Sequence, residues 1–166
     1  MKHIKNIFLA LFATAFVSFA FGQTTKQDRD AAKKTAIENG IQSKQFEFIP
    51  QAVTPLGGST RQLGTSFDIT VANDSLISYL PYFGRAYSAI GAFSNRGPLD
   101  FTSTNFDYNV TERSKGGWVV TIKPKDNRNV DQYIFNVSEK GFASLDMISN
   151  NRQSISFTGY INATKQ

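Results

Sequence analysis

The chain has 166 residues, 18 Lys+Arg against 13 Asp+Glu, a formal net charge of +5, one histidine and no cysteine. Its length points to one domain. With 40% hydrophobic and 19% charged residues it reads as a globular chain, neither disordered nor a polytopic membrane protein. The missing cysteine excludes disulfides, Cys-ligated zinc, a thiol nucleophile and lipoprotein attachment.

Residues 1–22 have the pattern of a secretory signal peptide. Lys2 and Lys5 make the positive start, and residues 7–21 are apolar except for Thr14 and Ser18. Ala20-Phe21-Gly22 puts small residues at the −3 and −1 positions, so cleavage is expected before Gln23. The product would be periplasmic or secreted. The apolar run of about 15 residues falls short of the roughly 20 that span a bilayer, so no membrane anchor is expected to remain. Cleavage removes His3, the one imidazole, and takes two from the net charge. The remaining positive residues, among them Lys33-Lys34, Arg61, Arg85, Arg113 and Arg152, are scattered. No dense basic stripe exists, so nucleic acid is not an expected partner.

The rest, residues 23–166, reads as a single domain. Residues of about 24–40 are the one helical candidate, with Ala31, Ala32, Ala36 and Ile37 largely on one side. Asp30 and Lys34 stand at i, i+4 in the favourable order, and Asn39-Gly40 is a helix stop.

From residue 43 to about 162 the period changes to two. Phe46 and Phe48 alternate with polar neighbours before Pro50, Pro55 and Gly57-Gly58 break the chain. Phe67, Ile69 and Val71 form the next run, and Asn73-Asp74 turns it into Ser75–Leu80. After a long Gly-containing loop come Leu99–Thr102 and then Phe106, Tyr108 and Val110. Trp118, Val120 and Ile122 follow the Ser114–Gly117 hairpin loop, which places Trp118 on the inner face. Tyr133, Phe135 and Val137, then Ala143, Leu145 and Met147, then Ile155, Phe157 and Ile161 complete the series. Consecutive hairpins with one apolar face make an all-β antiparallel meander. Closure into a barrel of about eight or nine strands hides its edges most completely. Such a barrel encloses either a packed core or one small ligand.

The segment Asp74–Tyr87, ending in the specific run Leu80-Pro81-Tyr82-Phe83-Gly84-Arg85-Ala86-Tyr87, is the most distinctive stretch. It resembles the signature of a family of exported Bacteroidetes proteins known as domain of unknown function family 4251. The resemblance continues through Gly117-Trp118, Gly141–Leu145 and Asn151–Gly159, and spans roughly residues 26–161. It implies a lipocalin-like barrel and an envelope location. It implies no activity. Some relatives resemble lipoproteins with a cysteine at the cleavage site, which this chain lacks.

The candidate site is this aromatic run. Tyr79, Tyr82, Phe83 and Tyr87 offer stiff contact area, and Arg85 could grip a carboxylate, phosphate or sugar hydroxyl. Arg152, in the Asn150–Gln153 turn, could face the same opening. The ligand would be a small amphipathic or anionic envelope molecule, or else a segment of a partner protein. The competing account is an ordered loop in which tyrosines plug a barrel end and Arg85 pairs with a local acid. Asp126, Asn127, Asn129 and Asp131 cluster oxygens, but their spacing fails the EF-hand pattern, and they read as a solvated turn. Asn-x-Ser/Thr sequons at Asn73, Asn109, Asn136 and Asn162 are near what this composition produces by chance. Asp74-Ser75-Leu76 resembles a short O-glycosylation motif of exported Bacteroidetes proteins, though such tripeptides are common.

No catalytic residue, metal site or cofactor is expected. The chain left after cleavage lacks the His and Cys of the usual triads, dyads and zinc sites. No glycine-rich phosphate loop joins a strand to a helix. A carboxylate-based hydrolase is a less favoured reading. The leading expectation is a non-catalytic binding barrel, and the alternative is a structural or interaction protein with a solid core.

Overall fold

The computed structural model describes residues 25–64, 66–87 and 97–163. The expected signal peptide and residues 88–96 of the loop before Leu99 lie outside these. The chain divides into two compact units, residues 1–31 and 32–166.

Helix α1, Lys26–Gln42, crosses the division. Within the first unit its start is fixed by a capping box. Asp28 N donates to Thr25 Oγ1 (3.2 Å), and Thr25 N donates back to Asp28 Oδ2 (3.1 Å). In the second unit Ile37 and Ile41 are buried. The helix does not stop at Asn39-Gly40 but runs on to Gln42. A Cβ on Gly40 would lie 2.9 Å from Gln45 O, so this glycine permits close packing inside the helix. Lys44, at φ 56°, takes the left-handed position instead. Lys34 does not serve the expected Asp30 pair. Its Nζ lies 2.6 Å from Glu139 Oε1, and that carboxylate raises the Lys34 pKa.

Ten strands follow among the described residues: β1 (Gln45–Pro55), β2 (Arg61–Gln62), β3 (Asp68–Ala72), β4 (Ser75–Leu80), β5 (Leu99–Ser103), β6 (Phe106–Glu112), β7 (Trp118–Pro124), β8 (Gln132–Val137), β9 (Phe142–Ile148) and β10 (Ile155–Ala163). All pairings are antiparallel, in the order β5-β4-β3-β1-β10-β9-β8-β7-β6, with β2 added beside β1. The end strands β5 and β6 are separated only by Thr104-Asn105, so the path returns on itself in a nearly closed nine-strand barrel. The corner is held by Asp126, whose carboxylate accepts from Ser103 Oγ and Thr104 N, and by Lys125 N donating to Asn105 O.

β1 is longer than its prolines suggest. It continues through Pro50 because that residue sits at a register shift, where no ladder N–H is required. Gly159 of β10 makes the bulge possible, since a Cβ there would lie 2.1 Å from Ile49 O.

Alternation puts one residue in two inside. Trp118, Val120 and Ile122 are buried on β7, Tyr133, Phe135 and Val137 on β8, and Ala143, Leu145 and Met147 on β9. Phe135 meets Phe46 and Phe48 edge-on, with ring centroids at 5.8 and 5.5 Å. Phe101 stacks on Tyr133 at 6.4 Å. Among the described residues the barrel interior is therefore occupied by packed side chains. The helix end is tied by Tyr108, whose hydroxyl donates to Ile41 O (2.7 Å), and by Asn73 N donating to Lys44 O (2.9 Å). Burial pushes the Tyr108 phenol up.

Candidate functional site

The end of the barrel away from the helix gathers the 55–60, 81–87, 125–131 and 149–154 segments. Residues 85–87 run antiparallel to 151–153. Tyr87 N donates to Asn151 O (2.8 Å), Gln153 N donates to Arg85 O (2.9 Å), and Ala86 bridges Arg152. The Gln153 side chain ties a third segment in: its Nε2 donates to Leu56 O (2.7 Å), while its Oε1 accepts from Arg85 N (3.2 Å).

The distinctive run now has a physical account. Tyr82 folds back so that its hydroxyl lies 2.9 Å from Arg85 O and 2.8 Å from Gln153 O, sharing one proton between two carbonyls. Burial pushes the Tyr82 phenol up, against the pull of Arg152, so it stays a donor. Gly84 must lack a side chain because a Cβ would lie 2.4 Å from that hydroxyl. Phe83 turns outward and is 42% exposed.

Arg152 is buried, 9% exposed, with its Nε 3.4 Å from Asn129 Oδ1 and its guanidinium carbon 5.6 Å from the Tyr82 ring centroid. The 126–131 oxygens are committed locally. Asp126 holds the β5–β6 corner, where the Ser103 hydroxyl keeps its carboxyl below the usual carboxylate range. Asn127 Oδ1 accepts from Asn129 N and Val130 N, and Asn129 receives Arg152.

An open cleft of about 420 Å³ lies at this rim, lined by the 55–59 turn, Arg61, Phe83, Arg85 and Gln153. Arg61 lies over the Phe83 ring, its guanidinium carbon 5.0 Å from the centroid. No carboxylate lines the cleft, and neither Arg61 nor Arg85 forms an ion pair among the described residues.

Of the residues singled out in the sequence, Phe83 and Arg85 line this cleft, while Tyr82 and Arg152 support it from behind. Tyr87 is exposed and joins through its main chain. Tyr79 is elsewhere: it lies on the outer face of β4, 46% exposed, with its ring 5.5 Å from Phe67. Gln153 belongs to the Asn150–Gln153 turn already named with Arg152, but sequence reasoning missed Arg61 and Leu56. The Pro55 and Gly57-Gly58 breaks marked their loop, but no local signal joined it to residues 81–87.

The family described as "Domain of unknown function (DUF4251)" matches residues 28–161. Among solved structures, the fold is similar to a DUF4251 family protein from Bacteroides eggerthii, with TM-score 0.59 and 14% identity over 83% of this chain and 92% of that one. No curated protein matches the chain.

Proposed function

The chain belongs to the DUF4251 family, and we propose that it is an exported, non-catalytic envelope protein that binds a small ligand or partner segment at the rim cleft. The observation that carries this reading is the contrast between a filled interior and an acid-free cleft holding Arg61, Arg85 and Phe83. Ligands enter sites where a few polar groups converge beside apolar surface. Export is supported by the pattern of residues 1–22. The non-catalytic part is supported by the described lining residues, which offer no carboxylate, imidazole or thiol as base or nucleophile.

A second reading, a structural or interaction protein with a solid core, is favoured by the packed interior and by Ile77 and Tyr79 exposed on the outer face of β4. Untargeted mass spectrometry of molecules co-purifying from the native envelope separates the two. A molecule retained by the wild type and lost from Phe83→Ala supports binding at the cleft. Identical profiles from both proteins favour the structural reading.

A further inference from the structure

Among the described residues the cleft is lined by two arginines and no carboxylate. Arg61 comes from β2 and Arg85 from the 81–87 segment. Like charges lining one open cleft repel one another, weakly where solvent screens them, and an anion between them relieves that repulsion. The local structure needs neither head group. Arg85 secures the rim through its main chain, N to Gln153 Oε1 and O to Gln153 N. The buried anchoring arginine is Arg152.

Arg61 is nevertheless held in place. Stacking on Phe83 orients its planar fork before any ligand arrives. The other polar side chains of the lining are neutral: Ser59 carries one hydroxyl, and Gln153 spends one amide donor on Leu56 O and one lone pair on Arg85 N. Charge therefore enters the cleft only through the two arginines, which favours an anion over an uncharged sugar. Beside the charges stand two apolar surfaces, Leu56 (66% exposed) and the free part of Phe83.

We propose that the cleft binds an amphipathic anion, its phosphate or carboxylate head held by Arg61 and Arg85 and its short apolar body against Leu56 and Phe83. The inference rests on the rim cleft being the binding site and narrows what it takes. Guanidinium forks match the paired oxygens of phosphate and carboxylate. A volume of about 420 Å³ suits a head group and a few carbons. The same head could arrive on a free metabolite or be displayed on a lipid.

Isothermal titration of the purified protein with octyl phosphate, octanoate and octyl glucoside tests this, because the three probes share a tail and differ in head charge. The two anions should bind and the glucoside should not. Arg61→Ala and Arg85→Ala should each weaken octyl phosphate binding by about tenfold or more, and added salt should weaken it in the wild type. Co-sedimentation with phosphatidylcholine vesicles, with and without phosphatidic acid, distinguishes the sources. Arginine-dependent capture by the acidic vesicles supports a displayed lipid head, and binding in solution without capture supports a free anion. The inference is overturned if no anionic probe binds, if the glucoside binds equally well, or if neither arginine variant changes the affinity. Failure of the cleft as a site is read separately, from co-purification profiles that Phe83→Ala leaves unaltered.

Discussion

Tyr133 on β8 and Ser78 on β4 meet at 2.9 Å across the barrel, five strand-to-strand steps apart along the sheet. The Ser78 hydroxyl donates its one proton to Leu99 O (2.7 Å), so Tyr133 is the donor in the pair. Burial pushes the Tyr133 phenol well above its ordinary range and keeps that proton in place. A polar bond through the centre, flanked by the Phe101 and Phe135 rings, leaves the middle of the barrel to the protein's own side chains.

The direction of that bond predicts an asymmetry. Tyr133→Phe removes a donor and leaves Ser78 bonded to Leu99 O, at a cost of about 1 kcal/mol. Ser78→Ala strands a buried phenol hydroxyl and should cost more, about 1–3 kcal/mol. The double variant should cost less than the two single costs together. Urea denaturation of the three proteins checks the order, and equal or reversed costs would show that the donor has been misassigned.

Trp118→Ala should lower stability by about 3–5 kcal/mol, the usual cost of truncating a buried tryptophan. The ring is 3% exposed and opens β7 on the inner face beside Val120 and Ile122. An unchanged urea midpoint would mean that the ring contributes nothing to the core.

These interior residues were legible because burial at period two is a local property. Trp118, Val120 and Ile122 show their face in five residues, as do Tyr133, Phe135 and Val137. The same parity was available for β4, where Leu76 and Leu80 point inward and so place Tyr79 on the outer face. Grouping Tyr79 with Tyr82, Phe83 and Tyr87 as one aromatic cluster hid that. The extent of β1 was obscured by Pro50, because only the paired strand reveals a bulge. The rim was least legible. Which arginine becomes the buried one depends on Asn129, 23 residues away from Arg152, and on the ring of Tyr82. Contacts between loops leave no periodic trace.

Asp126 should make the barrel sensitive to acid at its corner. Its folded pKa is lowered from 3.8, chiefly by the hydrogen bond from Ser103. A depressed carboxylate contributes stability that is present above its unfolded value and lost as pH falls through the folded one. Wild type should therefore lose its advantage over Asp126→Asn as pH falls below 3.8. The effect will be small, because Asp126 is exposed and solvent screens it. Urea midpoints of both proteins at pH 7 and at successively lower pH measure it. A constant difference would detach the carboxylate's charge from corner stability.

The two rim arginines should part company on substitution. Arg152 is buried, bonds Asn129 and packs on Tyr82, the residue that holds two carbonyls of the rim. Arg152→Ala leaves Asn129 without that donor and Tyr82 without its packing, a loss of about 1–3 kcal/mol. Arg85 is exposed, and its structural bonds run through N and O, which alanine keeps. Arg85→Ala should therefore change the unfolding free energy by less than about 0.5 kcal/mol, as expected for a surface site. A surface charge remote from the ligand acts on its binding only through weak, salt-screened attraction. A normal midpoint together with lost binding of octyl phosphate would thus place the Arg85 head group in the site and not in the scaffold. A midpoint lowered as far as that of Arg152→Ala would assign both arginines to the scaffold and leave Arg61 as the cleft's one ligand-facing charge.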